Sequence, residues 1–238
     1  MILDFDESLK AFRGGSPVLI YDFDDREGET DIAIPAIHVG KDEVAMMRID
    51  GGGLICVAIH PAAAERLGLP FMHDVLRVAS EKMPQIRRIA DADDIKYDSR
   101  SSFSLWVNHR DTFTGITDVD RALTIRRVGE VVDEVMMGKK VDFGSEFRSP
   151  GHVALLRAAD GLTYERVGQT ELSVALAEMA GIAPAVAICE MLDAETGRAL
   201  TKEKAIEYAE EKGIPFIDGR TIVKHYRKFR EVEVSLFV

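Results

Sequence analysis

Cysteine is almost missing from this sequence. The two present, Cys56 and Cys189, each sit inside an apolar segment, LICVAI and AVAICEML. Two isolated thiols build neither a disulfide framework nor a zinc cluster, and they fit a reducing, cytoplasmic setting. Positive charge is also in short supply: 30 Lys and Arg stand against 41 Asp and Glu, a formal net charge of −11. Such a surface repels polyanions, so neither nucleic acid nor an acidic membrane is expected as a partner. A phosphorylated small molecule needs only a local basic site. No stretch approaches the roughly eighteen apolar residues of a membrane span. The start, MILDFDESLKAF, carries early acids and no apolar centre, so no signal peptide is expected. Repeats, low-complexity tracts and Pro/Ser-rich linkers are lacking too, which points to one domain over residues 1–238.

What is present is an alternation of strand and helix patterns. Residues 6–13 read as a helix ended by Gly14 and Gly15. The runs 17–23, 31–37, 54–59, 102–108 and 184–192 read as strands, the last without alternation and so covered on both faces. Thr117 followed by Asp120 opens a helix as an approximate capping box. Residues 168–181 give the strongest helix, with Leu172, Ala175, Leu176 and Met179 on one face and Gly181 at its end. Thr201 caps a further helix that Gly213 ends, and the alternating tail EVEVSLFV reads as an edge strand. The fold class expected is α+β, a mixed twisted sheet covered by helices.

Four places carry chemistry. YDFDDREGETD, residues 21–31, crowds Asp22, Asp24, Asp25, Glu27, Glu29 and Asp31 around one base, Arg26. Like charges at that density repel unless water or a cation relieves them, so the run is a solvated acidic turn or a site for a hard divalent cation. Arg166-Val167-Gly168-Gln169-Thr170 precedes the strongest helix. A helix N-terminus with a glycine and an arginine suits a phosphate, whereas Thr170 could equally serve as a plain N-cap with Glu171 facing the dipole. His152 follows a Ser-Pro-Gly turn and opens a strand, as a structural residue or a catalyst. Glu190 lies in an apolar strand, either in a site or at a solvent-facing strand end. DGGGLIC, 50–56, lacks the spacing of a dinucleotide fingerprint and reads as a flexible turn leading Cys56, by itself a core thiol, onto a strand.

Together and in this order, DDREGETD, RIDGGGLICVAIHP, SFSLWVNHRDTFTGITDVDRALTI, FRSPGHVALLRA and RVGQTELSVALAEMAGIAPAVAICEM resemble the dihydroxybutanone-phosphate synthase family, in its single-function archaeal form. The resemblance runs from about residue 10 to 192. It implies a lyase of riboflavin biosynthesis that takes D-ribulose 5-phosphate to a four-carbon phosphate and formate with Mg²⁺ or Mn²⁺. It implies Glu27 as a metal ligand, and Arg26 and Asp31 as substrate contacts with Glu29 close by. Thr114 and Cys56 would line the pocket, and His152 and Glu190 would be a catalytic pair. Arg166 through Thr170, with Gly168 between them, would bind the phosphate end, in a homodimer with sites near the subunit interface. One position departs from the family: Gln169 stands where the resemblance expects a metal-binding histidine. An amide oxygen can ligate Mg²⁺ but cannot carry a proton, which leaves open a member that binds sugar phosphates with reduced or lost turnover.

Overall fold

Short apolar runs bounded by turns form strands here because both faces of the sheet are covered. The structure, a computed structural model, describes residues 4–90, 95–98 and 100–236. Its strands are β1 (Val18–Tyr21), β2 (Thr30–Pro35), β3 (Cys56–Ile59), β4 (Phe103–His109), β5 (Phe147–Arg157), β6 (Ala185–Glu190), β7 (Leu192–Asp193), β8 (Arg198–Ala199) and β9 (Phe216–Asp218). Its helices are α1 (Phe5–Arg13), α2 (Lys41–Met46), α3 (Pro61–Leu67), α4 (Met72–Ala79), α5 (Arg87–Ala90), α6 (Asp118–Met136), α7 (Phe143–Glu146), α8 (Gln169–Ala180), α9 (Lys202–Lys212) and α10 (Gly219–Leu236). The main sheet has the order β4-β5-β3-β6-β2-β1-β9. Within it, β3–β5 and β1–β9 are parallel and the other pairs antiparallel. β7 and β8 form a separate hairpin.

Side chains alternate across this sheet. Leu19, Ile32, Ile34, Val57 and Leu155 face one layer, where they meet Ile125, Val128 and Val132 of α6. Ile20, Ala33, Ala58, Val186 and Ile188 face the other, against Leu172, Ala175 and Leu176 of α8. Each fully buried Leu or Ile contributes about 1.5–3 kcal/mol, so the two layers hold the sheet between helices. The result is the α+β class expected, a mixed sheet with helical cover. Among the described residues no helix is long and apolar enough to cross a membrane.

The elements read from the sequence lie where periodicity puts them with three exceptions, while α2 to α5, α7 and the β7–β8 hairpin have no counterpart in that reading. The tail is not an edge strand: residues 219–236 continue as α10, with Ile222 and Tyr226 buried one turn apart and Phe229 packed beside them. Its two-residue alternation of Glu and Val carries no partner strand, and the apolar stripe upstream has helical spacing. The edge on that side is β9, three residues beside β1, and β4 forms the opposite edge. His152 does not open a strand either, since β5 already begins at Phe147. The register jumps from Asn108↔Arg148 to Val107↔Val153, so residues 149–152 bulge out of the ladder. Finally, Thr117 caps α6 by accepting from the Asp120 amide at 3.1 Å. The Asp120 carboxylate turns instead to the amides of Thr114 and Gly115, at 3.1 and 2.8 Å.

Candidate active site

Strand alternation decides which side chains meet. Asp31 on β2, Cys56 on β3 and Glu190 on β6 share the parity of the apolar residues that face α8, and all three stand at the same end of the sheet. Asp31 and Glu190 are direct cross-strand partners. The helix α8 starts over that end, and the acidic loop between β1 and β2 closes it. The outcome is a cavity of about 350 Å³. Arg26, Glu27, Glu29, Asp31, Cys56, Arg166, Gln169, Thr170 and Glu190, all singled out in the sequence, line it.

The loop is held from inside by Asp22, which is fully buried. Its two carboxylate oxygens accept the amides of Glu29 and Glu27 at 2.9 and 3.1 Å, and Arg26 at 3.3 Å. Arg26 also pairs with Glu27 at 2.7 Å. Part of the acidic charge is thus relieved by Arg26 inside the loop and by Arg220, which pairs with Asp24 at 3.2 Å. The rest shifts the carboxyl groups upward. Burial, with Glu27 and Glu190 adding repulsion, pushes Glu29 up to about 7. Burial and then Glu190 hold Asp31 well above the usual carboxylate range, and burial raises Glu27 against the pull of Arg26. Burial also raises the Cys56 thiol, with Glu190 adding to it, so Cys56 is a neutral wall of the cavity.

The glycine-rich run is a close-packed cradle and not a free turn. Gly53 and Leu54 wrap the end of β6: Gly53 donates to the Glu190 carbonyl at 3.1 Å, and the Leu54 amide donates to Glu190 Oε2 at 2.8 Å. A Cβ on Gly53 would come within 2.4 Å of that same oxygen. The run therefore fixes Glu190 in the site, so the solvent-facing reading of Glu190 fails.

At the start of α8 the N-cap is Gly168, in extended conformation, with Thr170 inside the first turn. Thr170 as a plain N-cap is therefore excluded. Arg166 and Arg26 lie directly over Gly168, where a Cβ would meet Arg166 Nη1 at 2.3 Å and Arg26 Nη2 at 2.8 Å. Glu171 does more than face the dipole: fully buried, it accepts the Ala159 amide at 2.9 Å and Arg166 Nη1 at 2.5 Å. Gln169 is buried with its amide nitrogen donating to the carbonyls of Ile20 and Glu29, at 3.0 and 3.1 Å. Those two bonds fix which way the amide faces, and its oxygen has no hydrogen-bond partner among the described residues. One oxygen of Asp31 is likewise buried without a partner among the described residues. Among the described residues no cluster of three or more His, Cys, Asp or Glu is arranged to hold a metal by itself.

Gly168 lies beneath the two arginines and not in the cavity lining, and two further expected residues stand away from the cavity altogether. His152 and Thr114 are both exposed, on the far part of β5 and on the loop before α6. They share a second patch through Asn108, whose side chain packs against Gly115. The His152 amide donates to Asn108 Oδ1 at 2.8 Å, which leaves Asn108 Nδ2 to donate to His152 Nδ1 at 3.1 Å. A neutral His152 paired in this way carries its proton on Nε2. Phe113 and Ile116 flank the patch as exposed apolar side chains. Asn108 and Asp98 carry no signal in the sequence, whereas Asp22 stands in the acidic run and Glu171 at the helix start without their supporting roles being visible there. Asp22 shares its run with five other acids and Glu171 is an acid in a first helical turn, and neither position by itself tells a buried support from a solvated charge.

Ionisable groups with displaced pKa values, gathered in a cavity at the end of a sheet, define an enzyme acting on a small molecule. The chain belongs to the 3,4-dihydroxy-2-butanone 4-phosphate synthase family, whose model matches residues 6–225. Membership makes it a lyase of riboflavin biosynthesis, forming 3,4-dihydroxy-2-butanone 4-phosphate. The synthase of Archaeoglobus fulgidus is 93% identical over 238 residues, covering 100% of both chains. That of Methanosarcina mazei is 57% identical over 224 residues, covering 94% of this chain and 91% of the relative. A solved 3,4-dihydroxy-2-butanone 4-phosphate synthase in complex with two magnesium ions superposes with a TM-score of 0.73 at 26% identity, covering 95% of this chain and 98% of that one.

Proposed function

We propose that the chain converts D-ribulose 5-phosphate to 3,4-dihydroxy-2-butanone 4-phosphate and formate in the cavity at the end of β2, β3 and β6, with Mg²⁺ or Mn²⁺ bound. The observation that carries this is the convergence of Glu27, Glu29, Asp31 and Glu190 opposite Arg26 and Arg166 at the start of α8. Glu27 and Gln169 would hold the cation. The donor set fits a hard ion, since the partnerless oxygen of Gln169 is buried at the cavity and amide and carboxylate oxygens suit Mg²⁺. When bound, the cation supplies Lewis-acid stabilisation of negative charge on the sugar oxygens.

The other roles fall to this chain's own groups. Arg166, Arg26, the amides after Gly168 and the Thr170 hydroxyl hold the phosphate end. Asp31, kept neutral by burial, can donate to a sugar hydroxyl. The carboxylates of Glu29 and Glu190 move protons to and from carbon and oxygen as the enediol forms and the skeleton rearranges, and Cys56 excludes water beside them. The exposed patch of Thr114 and His152 supports a homodimer in which this patch completes the neighbouring cavity, with the Nε2 proton of His152 available to the reacting end.

Formate release from ribulose 5-phosphate tests the reaction. Wild-type protein is expected to need Mg²⁺ and to stop with EDTA. Glu27→Gln and Glu190→Gln should each lose at least about 100-fold. Binding of substrate without any formate would instead favour the sugar-phosphate-binding reading left open by Gln169. Mixing His152→Gln with Glu190→Gln protein should restore activity toward about a quarter of wild type, since a mixed dimer regains one intact site. No recovery on mixing, with subunit exchange verified, would place both groups in one chain's site.

A further inference from the structure

We propose that Asp98 is a positioning residue for the phosphate end of the substrate, tying Arg26 and Arg166 together behind the N-terminus of α8. The inference rests on the phosphate reading of those two arginines. Its basis is a single oxygen: Asp98 Oδ2 accepts Arg26 Nη2 at 3.1 Å and Arg166 Nε. Two guanidinium groups over one glycine repel each other, and a shared carboxylate oxygen between them offsets that repulsion. The donor count then settles direction. On Arg166, Nε goes to Asp98 and Nη1 to Glu171, so Nη2 has no hydrogen-bond partner among the described residues. On Arg26, Nη1 is taken by Asp22 and Glu27, and Nη2 meets Asp98.

Asp98 does not compete for the substrate's side of this pair. It lines a second cavity of about 380 Å³ with Phe23, Asp25 and Glu165, and not the cavity that holds Glu190. Arg26, Arg166 and Tyr97 border both spaces and form the wall between them. Tyr97 adds its ring face to Arg26 at 5.4 Å. Asp98 thus approaches the arginines from behind. Asp22 and Glu171 are fixed by backbone amides, whereas Asp98 reaches in from the segment ahead of β4, across 68 residues from Arg166.

The test is Asp98→Asn, read as KM against kcat for ribulose 5-phosphate and as the dissociation constant of inorganic phosphate in direct titration. Loss of a charge-assisted contact on each arginine should weaken both KM and phosphate binding about tenfold or more, with kcat within about twofold. In an Arg166→Ala background the same change should have a much smaller effect, because the two residues act as a unit. Tighter phosphate binding in Asp98→Asn would make Asp98 a competitor and overturn the proposal. So would unchanged binding, or a fall in kcat at unchanged KM. If Arg166→Ala itself leaves KM and phosphate binding unchanged, the phosphate reading fails instead. Should Asp98→Asn not fold, Asp98→Ser takes its place with the same expected outcomes.

Discussion

Glu29 shows how one residue's chemistry is set by its neighbours. Two residues from Glu27 along the loop and close to Glu190, its carboxyl is pushed by burial and repulsion up to about 7 from an ordinary value of 4.5. The fold therefore favours its neutral form. That contribution to stability is full below about 4.5 and is lost as pH rises through about 7. Glu29→Gln, which cannot ionise, is expected to raise Tm by a few degrees at pH 8 relative to wild type and by little at pH 4.5, in protein free of divalent cation. Paired thermal scans check this, and a Tm difference independent of pH would show that the carboxyl is not raised. Gln169 makes the complementary point. Its residue type is visible in the sequence, but only the carbonyls of Ile20 and Glu29 decide that its oxygen is the end left without a partner.

Among the elements, α8 carries most of the site. Its amphipathic stripe and its terminal Gly181 in left-handed conformation follow from local sequence, and the helix occupies the residues that periodicity assigns. Its N-terminus is another matter. Gly168 is required there because two guanidinium groups lie within a Cβ's reach, a fact about Arg26 and Arg166 and not about helix capping. Gly168→Ala is expected to cost about 1–2 kcal/mol of stability. It should raise KM about tenfold by displacing both arginines. Steady-state kinetics beside chemical denaturation separate the two effects, and an unchanged KM would mean that the arginines are not the anchor. In α10, by contrast, a two-residue alternation was outweighed by Ile222 and Tyr226, because a strand there has no neighbour with which to share hydrogen bonds.

For the whole molecule, the division of the candidate residues between a cavity and an exposed patch is the central fact. Phe113 is 93% exposed, beside Ile116 and Val119. An apolar cluster that open to water, next to Thr114 and His152, is the contact face expected of the proposed homodimer. Phe113→Asp should leave the fold of each chain intact, within about 0.5 kcal/mol, since the ring is already in solvent. It should shift the protein toward monomer in sedimentation and lower formate release in proportion. A variant that stays dimeric and fully active would move the interface elsewhere.

The sequence by itself determined the class of fold, the main strands and helices, and the identity of most cavity residues. Alternation, helical stripes and glycine ends are local, and burial on both faces of the sheet rewards them directly. The order of the blocks carried the family. Tertiary structure alone decided which carboxylates face each other, because register pairs Asp31 with Glu190 across strands more than a hundred and fifty residues apart. It decided that Asp22 and Glu171 are supports while Glu29 titrates near neutrality, since burial and neighbours, and not residue type, set a pKa. It also decided that Asp98 reaches Arg26 and Arg166, a contact between charges whose sequence separation leaves no periodic trace.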